Sequence, residues 1–146
     1  QTCALPISFR GAIPDGLLYD AEHDMWVKRD GDEALIGATA YGIFRAGEII
    51  GFTAKPRGAE VDRGRGLGTV ECAKTVLAVR APISFVLIAA NEAAEEHPAI
   101  LNRDPYRAGW MVRGRPTAWD AQQAGLLDAA AYRDHVARIE PGALIE

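Results

Sequence analysis

The sequence predicts a mostly β fold closed by a helical C-terminal third. Through the first two thirds of the chain, glycines and prolines recur at short intervals between segments rich in Val, Ile and Phe. That is the pattern of short strands joined by tight turns, as in a sandwich or barrel. From Trp119 to Ile139 the composition shifts to Ala, Leu and Gln, which favours helix. The 146 residues suit one domain, and 49% of them are hydrophobic, enough for a real core.

Met25 to Lys28 reads as a strand, Arg29-Asp30-Gly31-Asp32 as its turn, and Glu33 to Gly37 as the antiparallel return. Ala38 to Arg45 is spaced for a short helix, with Tyr41, Phe44 and Arg45 on one face and Gly47 as its C-cap. Glu48 to Ala54 reads as a strand in which Ile50 and Phe52 alternate, and Pro56-Arg57-Gly58 turns the chain. Leu67 to Ala73 and Thr75 to Arg80 are two strands meeting near Lys74. In the first, Val70 and Cys72 share one face, Thr69 and Glu71 the other. Ala81-Pro82 breaks the pattern before the apolar strand Ile83 to Ala90. Asn91 caps a short acidic helix over Glu92 to Glu96, limited by Pro98. Trp110 to Arg113 reads as the last strand. Trp119 to Ile139 is expected to be helical with a break at Gly125 and an apolar stripe of Leu126, Leu127, Ala130 and Ala131.

Several function classes are disfavoured. The net charge is −4, from 16 basic and 20 acidic residues without a basic block, so no nucleic-acid partner is expected. No apolar run approaches the roughly 20 residues of a membrane span. Gly64-Arg65-Gly66-Leu67-Gly68 does not fit a nucleotide loop, because no Lys-Ser/Thr and no long helix follow. His23, His97 and His135 lie far apart, without metal-ligand spacing to Cys3 or Cys72, so no metal is expected. No Ser-His-Asp order or paired carboxylate cluster stands out, and the chain is read as no enzyme. Gln1-Thr2-Cys3-Ala4-Leu5-Pro6-Ile7 can be encoded by the end of a common short-read sequencing adapter. Residues 1–8 are therefore expected to be a non-native or disordered N-terminus, with residues 9–146 as the single domain. No basic segment followed by an apolar stretch opens the chain, and a reduced, cytoplasmic protein is expected.

The candidate site is Lys74, in Val70-Glu71-Cys72-Ala73-Lys74-Thr75-Val76, followed downstream by Ala81-Pro82-Ile83-Ser84. This pair of segments resembles the lipoyl-lysine hairpin of the glycine cleavage system H proteins, Glu-Ser-Val-Lys-Ala and then Ala-Pro-Val-Ser-Gly. The resemblance runs from about residue 17 to 136. Glu22-His23-Asp24-Met25-Trp26-Val27 is similar to Glu-His-Glu-Trp-Val, with one extra residue here. Ile36 to Tyr41 is similar to Val-Gly-Ile-Thr-Asp-Tyr, and Ala46 to Ile50 to Leu-Gly-Asp-Ile-Val. Asn102 to Trp110 resembles Asn-x-Asp-Pro-Tyr-Gly-x-Gly-Trp, and Leu126 to Tyr132 resembles Leu-Leu-Asp-Ala-Glu-Ala-Tyr.

The resemblance implies a lipoyl/biotinyl-type hammerhead, a barrel-sandwich hybrid of two small antiparallel sheets with short helices and a C-terminal helix. It implies lipoate attached covalently to Lys74, with Glu71 helping the modifying ligase to recognise the site. Alanine and threonine flank the lysine where biotin carriers usually place methionines, which favours lipoate. The implied role is a carrier that shuttles an aminomethyl group in glycine cleavage. Its partners would be glycine decarboxylase (P protein), aminomethyltransferase (T protein), lipoamide dehydrogenase (L protein) and a lipoate ligase or lipoyl/octanoyl transferase. A monomer is expected, since an arm that visits several enzymes benefits from free diffusion.

Three departures qualify the match. Phe85 stands eleven residues after Lys74, where lipoyl hairpins usually have glycine, although Gly58, sixteen residues before, is retained. Gly51 to Pro56 differs from the family's Phe-Val-Glu-Leu-Pro. Cys72 replaces serine and reads as a small, partly buried core residue. Glu22 and His23 fall where a cleft could shelter the loaded arm. Two alternatives stay open: an H-like lipoate-binding protein of a sulfur-oxidation (heterodisulfide-reductase-like) system, and a hammerhead that is never modified and only binds a partner.

Overall fold

The computed structural model describes residues 8–146. The expected non-native terminus, residues 1–8, therefore falls outside the described residues except for Ser8. In chain order the elements are β1 (Arg10–Gly11), β2 (Leu18–Asp20), β3 (Met25–Asp30), β4 (Glu33–Ala38), α1 (Ala40–Ala46) and β5 (Ile49–Ala54). There follow β6 (Glu60–Val61), β7 (Gly66–Cys72), β8 (Thr75–Arg80), β9 (Phe85–Ala90), α2 (Glu92–Glu96) and α3 (Ala99–Arg103). The chain closes with β10 (Val112–Pro116), α4 (Trp119–Gln122), α5 (Ala129–Ile139) and β11 (Leu144–Ile145).

A six-stranded sheet in the order β2-β3-β4-β10-β9-β6 faces a three-stranded sheet in the order β5-β7-β8, and β1 pairs with β11 as a two-residue parallel ladder. Pairing within both larger sheets is antiparallel throughout. Gly31, at φ 63°, opens the two-residue turn between Asp30 and Glu33 and so fixes the β3–β4 register.

The first half of β3 and most of β4 are buried on both faces. Met25 and Val27 on β3, with Ala34 and Ile36 on β4, join Phe52, Leu67, Val70 and Val79 of the small sheet in one cluster. Trp26, between them in sequence, points the other way and packs with Phe9, Ile13, Tyr19, Tyr41, Tyr132 and Val136. The period of two in β3 thus serves two cores at once. Helix α5 closes the second core: its Tyr132 stacks on Tyr19 at a centroid distance of 4.7 Å with the rings within 3° of parallel.

The structure corrects three local expectations. Ile50 and Phe52 do not share a face, because a bulge between Ile49 and Gly51 turns Ile50 outward. Ile50 is 50% exposed while Phe52 is 4% exposed. The C-terminal helix breaks at Gly125 as expected, but the expected apolar stripe does not form. A 3-10 turn over Gln123–Gly125 ends the first piece. Leu127 then bridges to Tyr19, and Asp128 caps α5 by accepting from the Ala131 N–H. The buried stripe of α5 is Ala129, Tyr132 and Val136, not Ala130 and Ala131. The last large-sheet strand is β10, shifted towards the C-terminus from the Trp110 to Arg113 expectation.

Phe85 causes no backbone strain. It opens β9 outside the left-handed region and is 1% exposed. Across the sheet its ring lies over Gly114, where a Cβ would come within 2.8 Å of the Phe85 Cγ. The room for the Phe85 ring is left by this glycine on the adjacent strand. Gly58, at φ 87°, makes the preceding turn and donates its N–H to Leu87.

Candidate functional site

Strands β7 and β8 pair from Gly66↔Arg80 to Cys72↔Thr75, which leaves Ala73 and Lys74 as a two-residue tip. Neither tip residue has positive φ, so the turn is not of the primed kind that asparagine–glycine pairs form. Lys74 is exposed, and the ion pairs among the described residues do not include it. The expected face alternation holds. Val70 and Cys72 are buried, Thr69 and Glu71 exposed. Cys72 is a free thiol in the main core. Glu71 stands three residues from the lysine on the outer face, with Gly51 and Val76 directly opposite.

On the other side of β8 a cleft of about 350 Å³ opens between that strand and α1. Its floor and apolar wall include Met25, Ile43, Val70, Leu77 and Met111, and its polar wall includes Glu22, His23, Asp24, Arg45 and Arg80. Leu77 lies three residues from Lys74, on the order of 10 Å along a strand. The structure thus gathers Glu22 and His23 into a cleft near the hairpin and sets Glu71 on the opposite face.

The polar wall is braced from behind. Asp24 adopts φ 56°, which aspartate tolerates better than most residues. It lies in the segment that carries one extra residue before Trp26. Tyr132 donates its hydroxyl to Asp24 Oδ1 at 2.8 Å. With that proton used, the Thr39 hydroxyl donates to Tyr132, also at 2.8 Å, and accepts from the Gly42 N–H at 3.0 Å. Arg45 reaches Asp24 Oδ2 at 3.3 Å. Burial raises the Asp24 carboxyl above its ordinary value, and donation from Tyr132 and the charge of Arg45 oppose the rise. Burial likewise pushes the Tyr132 hydroxyl far up. Beside this network, Asp20, 1% exposed, holds His23 Nδ1 at 2.8 Å and accepts the Glu22 N–H at 3.0 Å. His23 is therefore oriented by a buried carboxylate while its ring borders the cleft.

Sequence reasoning missed Asp20, Asp24, Arg45 and Tyr132. The extra residue at Met25 was the signal that the backbone there differs. The pairing with Tyr132, 108 positions away, left no local trace.

The geometry agrees with the chain's relatives. A profile described as glycine cleavage H-protein matches residues 17–139. The glycine cleavage system H protein of Synechococcus elongatus is 40% identical over 124 residues, covering 82% of this chain and 92% of that protein. The mitochondrial glycine cleavage system H protein of Oryza sativa subsp. indica is 36% identical over 123 residues, covering 84% of this chain and 74% of that one. The crystal structure of a glycine cleavage system H protein from Mycobacterium marinum superimposes with a TM-score of 0.72 at 31% identity, covering 83% of this chain and 96% of that one. With its two facing sheets, its exposed lysine tip and these matches, the chain belongs to the glycine cleavage H-protein family.

Proposed function

We infer that this protein is a lipoyl carrier of glycine cleavage and that Lys74 bears the arm. The observation behind this is the placement of Lys74: an exposed amine, outside the ion pairs of the described residues, on a two-residue tip beside a cleft, in a chain of this family. A lysine so placed projects into solvent, where a modifying enzyme can close around it, and amide formation removes its charge. When bound, lipoate supplies a dithiolane that partner enzymes open, load with an aminomethyl group and reclose. The chain's own residues hold and shelter. The hairpin presents the amine, and Glu71 serves as a mark for the lipoate ligase or lipoyl/octanoyl transferase. Met25, Ile43 and Leu77 offer an apolar wall to an aliphatic arm, while Glu22, His23 and Asp24 offer acceptors to an amine cargo. The partners are a glycine decarboxylase, an aminomethyltransferase and a lipoamide dehydrogenase, served by one arm at high effective concentration.

The test is glycine-dependent carbon dioxide release by a purified glycine decarboxylase. The lipoylated protein should support release, and the unmodified protein should not. Equal release with the two forms would overturn the carrier reading.

A further inference from the structure

Two carboxylates line the cleft beside the hairpin, Glu22 and Asp24, and they are held differently. The Glu22 side chain is 70% exposed and stays solvated. Asp24 is buried, and both of its carboxylate oxygens have donors inside the protein: Tyr132 at Oδ1 and Arg45 at Oδ2. The two donors are not equivalent. Tyr132 is fully buried and is fixed in turn by Thr39, the N-cap of α1. The Asp24 carbonyl also accepts the Thr39 N–H at 3.0 Å. Arg45 lies in the last turn of α1 with a side chain 62% exposed. Its contact with Asp24, at 3.3 Å, is its one side-chain hydrogen bond among the described residues. The cleft's other arginine, Arg80, donates to the Gly64 carbonyl instead. Asp24 is thus held in place by Tyr132 and Thr39, and Arg45 only covers it.

An amine cargo offers what Arg45 offers, a cation that donates hydrogen bonds. A buried carboxylate needs such a partner, because an uncompensated buried charge is strongly destabilising. The cargo and the guanidinium therefore exclude each other at Oδ2. Resting on the reading of Lys74 as the bearer of an arm that this cleft shelters, we propose that Arg45 is a displaceable latch. It is a positioning residue that competes with the amine cargo for Asp24 Oδ2. Displaced, its guanidinium moves into solvent, a small loss for a side chain already mostly exposed. Its contact with the Tyr41 ring, 5.8 Å from the centroid, keeps it close. When the cargo leaves, Arg45 returns, so a partner enzyme that takes the arm leaves no bare carboxylate behind. The latch weakens the hold of the cleft and so eases delivery.

The test follows the loaded carrier by itself. Lipoylated wild type, Arg45→Met, Arg45→Lys, Asp24→Asn and the Asp24→Asn, Arg45→Met double variant are loaded from glycine by a glycine decarboxylase and freed of it. At neutral pH water then removes the aminomethyl group as formaldehyde and ammonia and leaves the thiol, and intact mass gives the rate. An amine held as ammonium on a carboxylate has no free electron pair to expel the sulfur, so a tighter hold slows the loss. Arg45→Met removes the cation and should slow the loss about fivefold, the scale of a partly exposed ion pair. Arg45→Lys should stay within about twofold of wild type, because the contact is single rather than bidentate. In the Asp24→Asn background Arg45→Met should change nothing, since the two residues act as a pair. A folded Arg45→Met protein that loses its cargo as fast as wild type or faster overturns the inference. So does a slowing that persists without Asp24, or an equal slowing in Arg45→Lys, which decides the matter if the asparagine variant does not fold. A wild-type chain that takes up no lipoyl group, or cannot be loaded, overturns the underlying carrier reading instead.

Discussion

From Met25 to Val27, on β3, three successive residues are buried, whereas from Thr75 to Ala78, on β8, four successive residues are exposed. The first strand lies between two cores, and its neighbour Tyr132 ties the C-terminal helix to the cleft wall. The second is an edge strand leading away from a bare two-residue tip. The difference teaches where each property of the protein resides. Stability is concentrated in β3, β4 and the aromatic cluster behind them. The hairpin keeps only its inner face, Leu67, Val70, Cys72 and Val79, in the core and leaves its tip exposed.

Substitutions on the two sides should separate accordingly. The largest loss belongs to Trp26→Ala. Trp26 is fully buried and donates its indole N–H to the Pro105 carbonyl at 3.0 Å. Truncation should cost about 4 kcal/mol in urea unfolding. Phe85→Ala should follow at about 3 kcal/mol, because Gly114 cannot fill the space that the ring leaves. A near-neutral Phe85→Ala would show that the Phe85–Gly114 pairing does not matter to stability.

The Asp24 network gives a pH-dependent contrast. Its carboxyl is raised in the folded protein from the ordinary 3.8. An acid raised on folding stabilises in its protonated form, so its contribution is full below 3.8 and is lost as pH rises through the folded value. The stability of wild type minus that of Asp24→Asn should therefore fall as pH rises from below 3.8 towards neutrality. A flat or rising difference would mean that Tyr132 and Arg45 outweigh burial. The smallest effect belongs to Lys74→Arg, which should change unfolding free energy by less than about 0.5 kcal/mol.

Much of this contrast was legible in the sequence. The Lys74 hairpin, the inward Val70 and Cys72, the Asn91 cap and the β3–β4 hairpin are set by local pattern, and local pattern is what a sequence displays. Ile50 misled because a single bulged residue breaks a period of two without changing composition. The β1–β11 ladder joins Arg10 to Leu144 over two residues, too few for a pattern. Leu126 and Leu127 look helical beside alanines, yet Asp128 starts the helix after them. Phe85 read as a departure because the glycine that makes room for its ring, Gly114, lies on another strand. The cleft was visible only as Glu22 and His23, since Asp20, Asp24, Arg45 and Tyr132 meet through tertiary contact.

The central claim, that Lys74 is the attachment point, is tested most directly by intact mass after expression with lipoate and a lipoate ligase. Wild type should gain the mass of one lipoyl group, and a folded Lys74→Arg protein should gain none. A wild-type chain that stays unmodified, or a lipoyl increment that survives Lys74→Arg, would contradict the account.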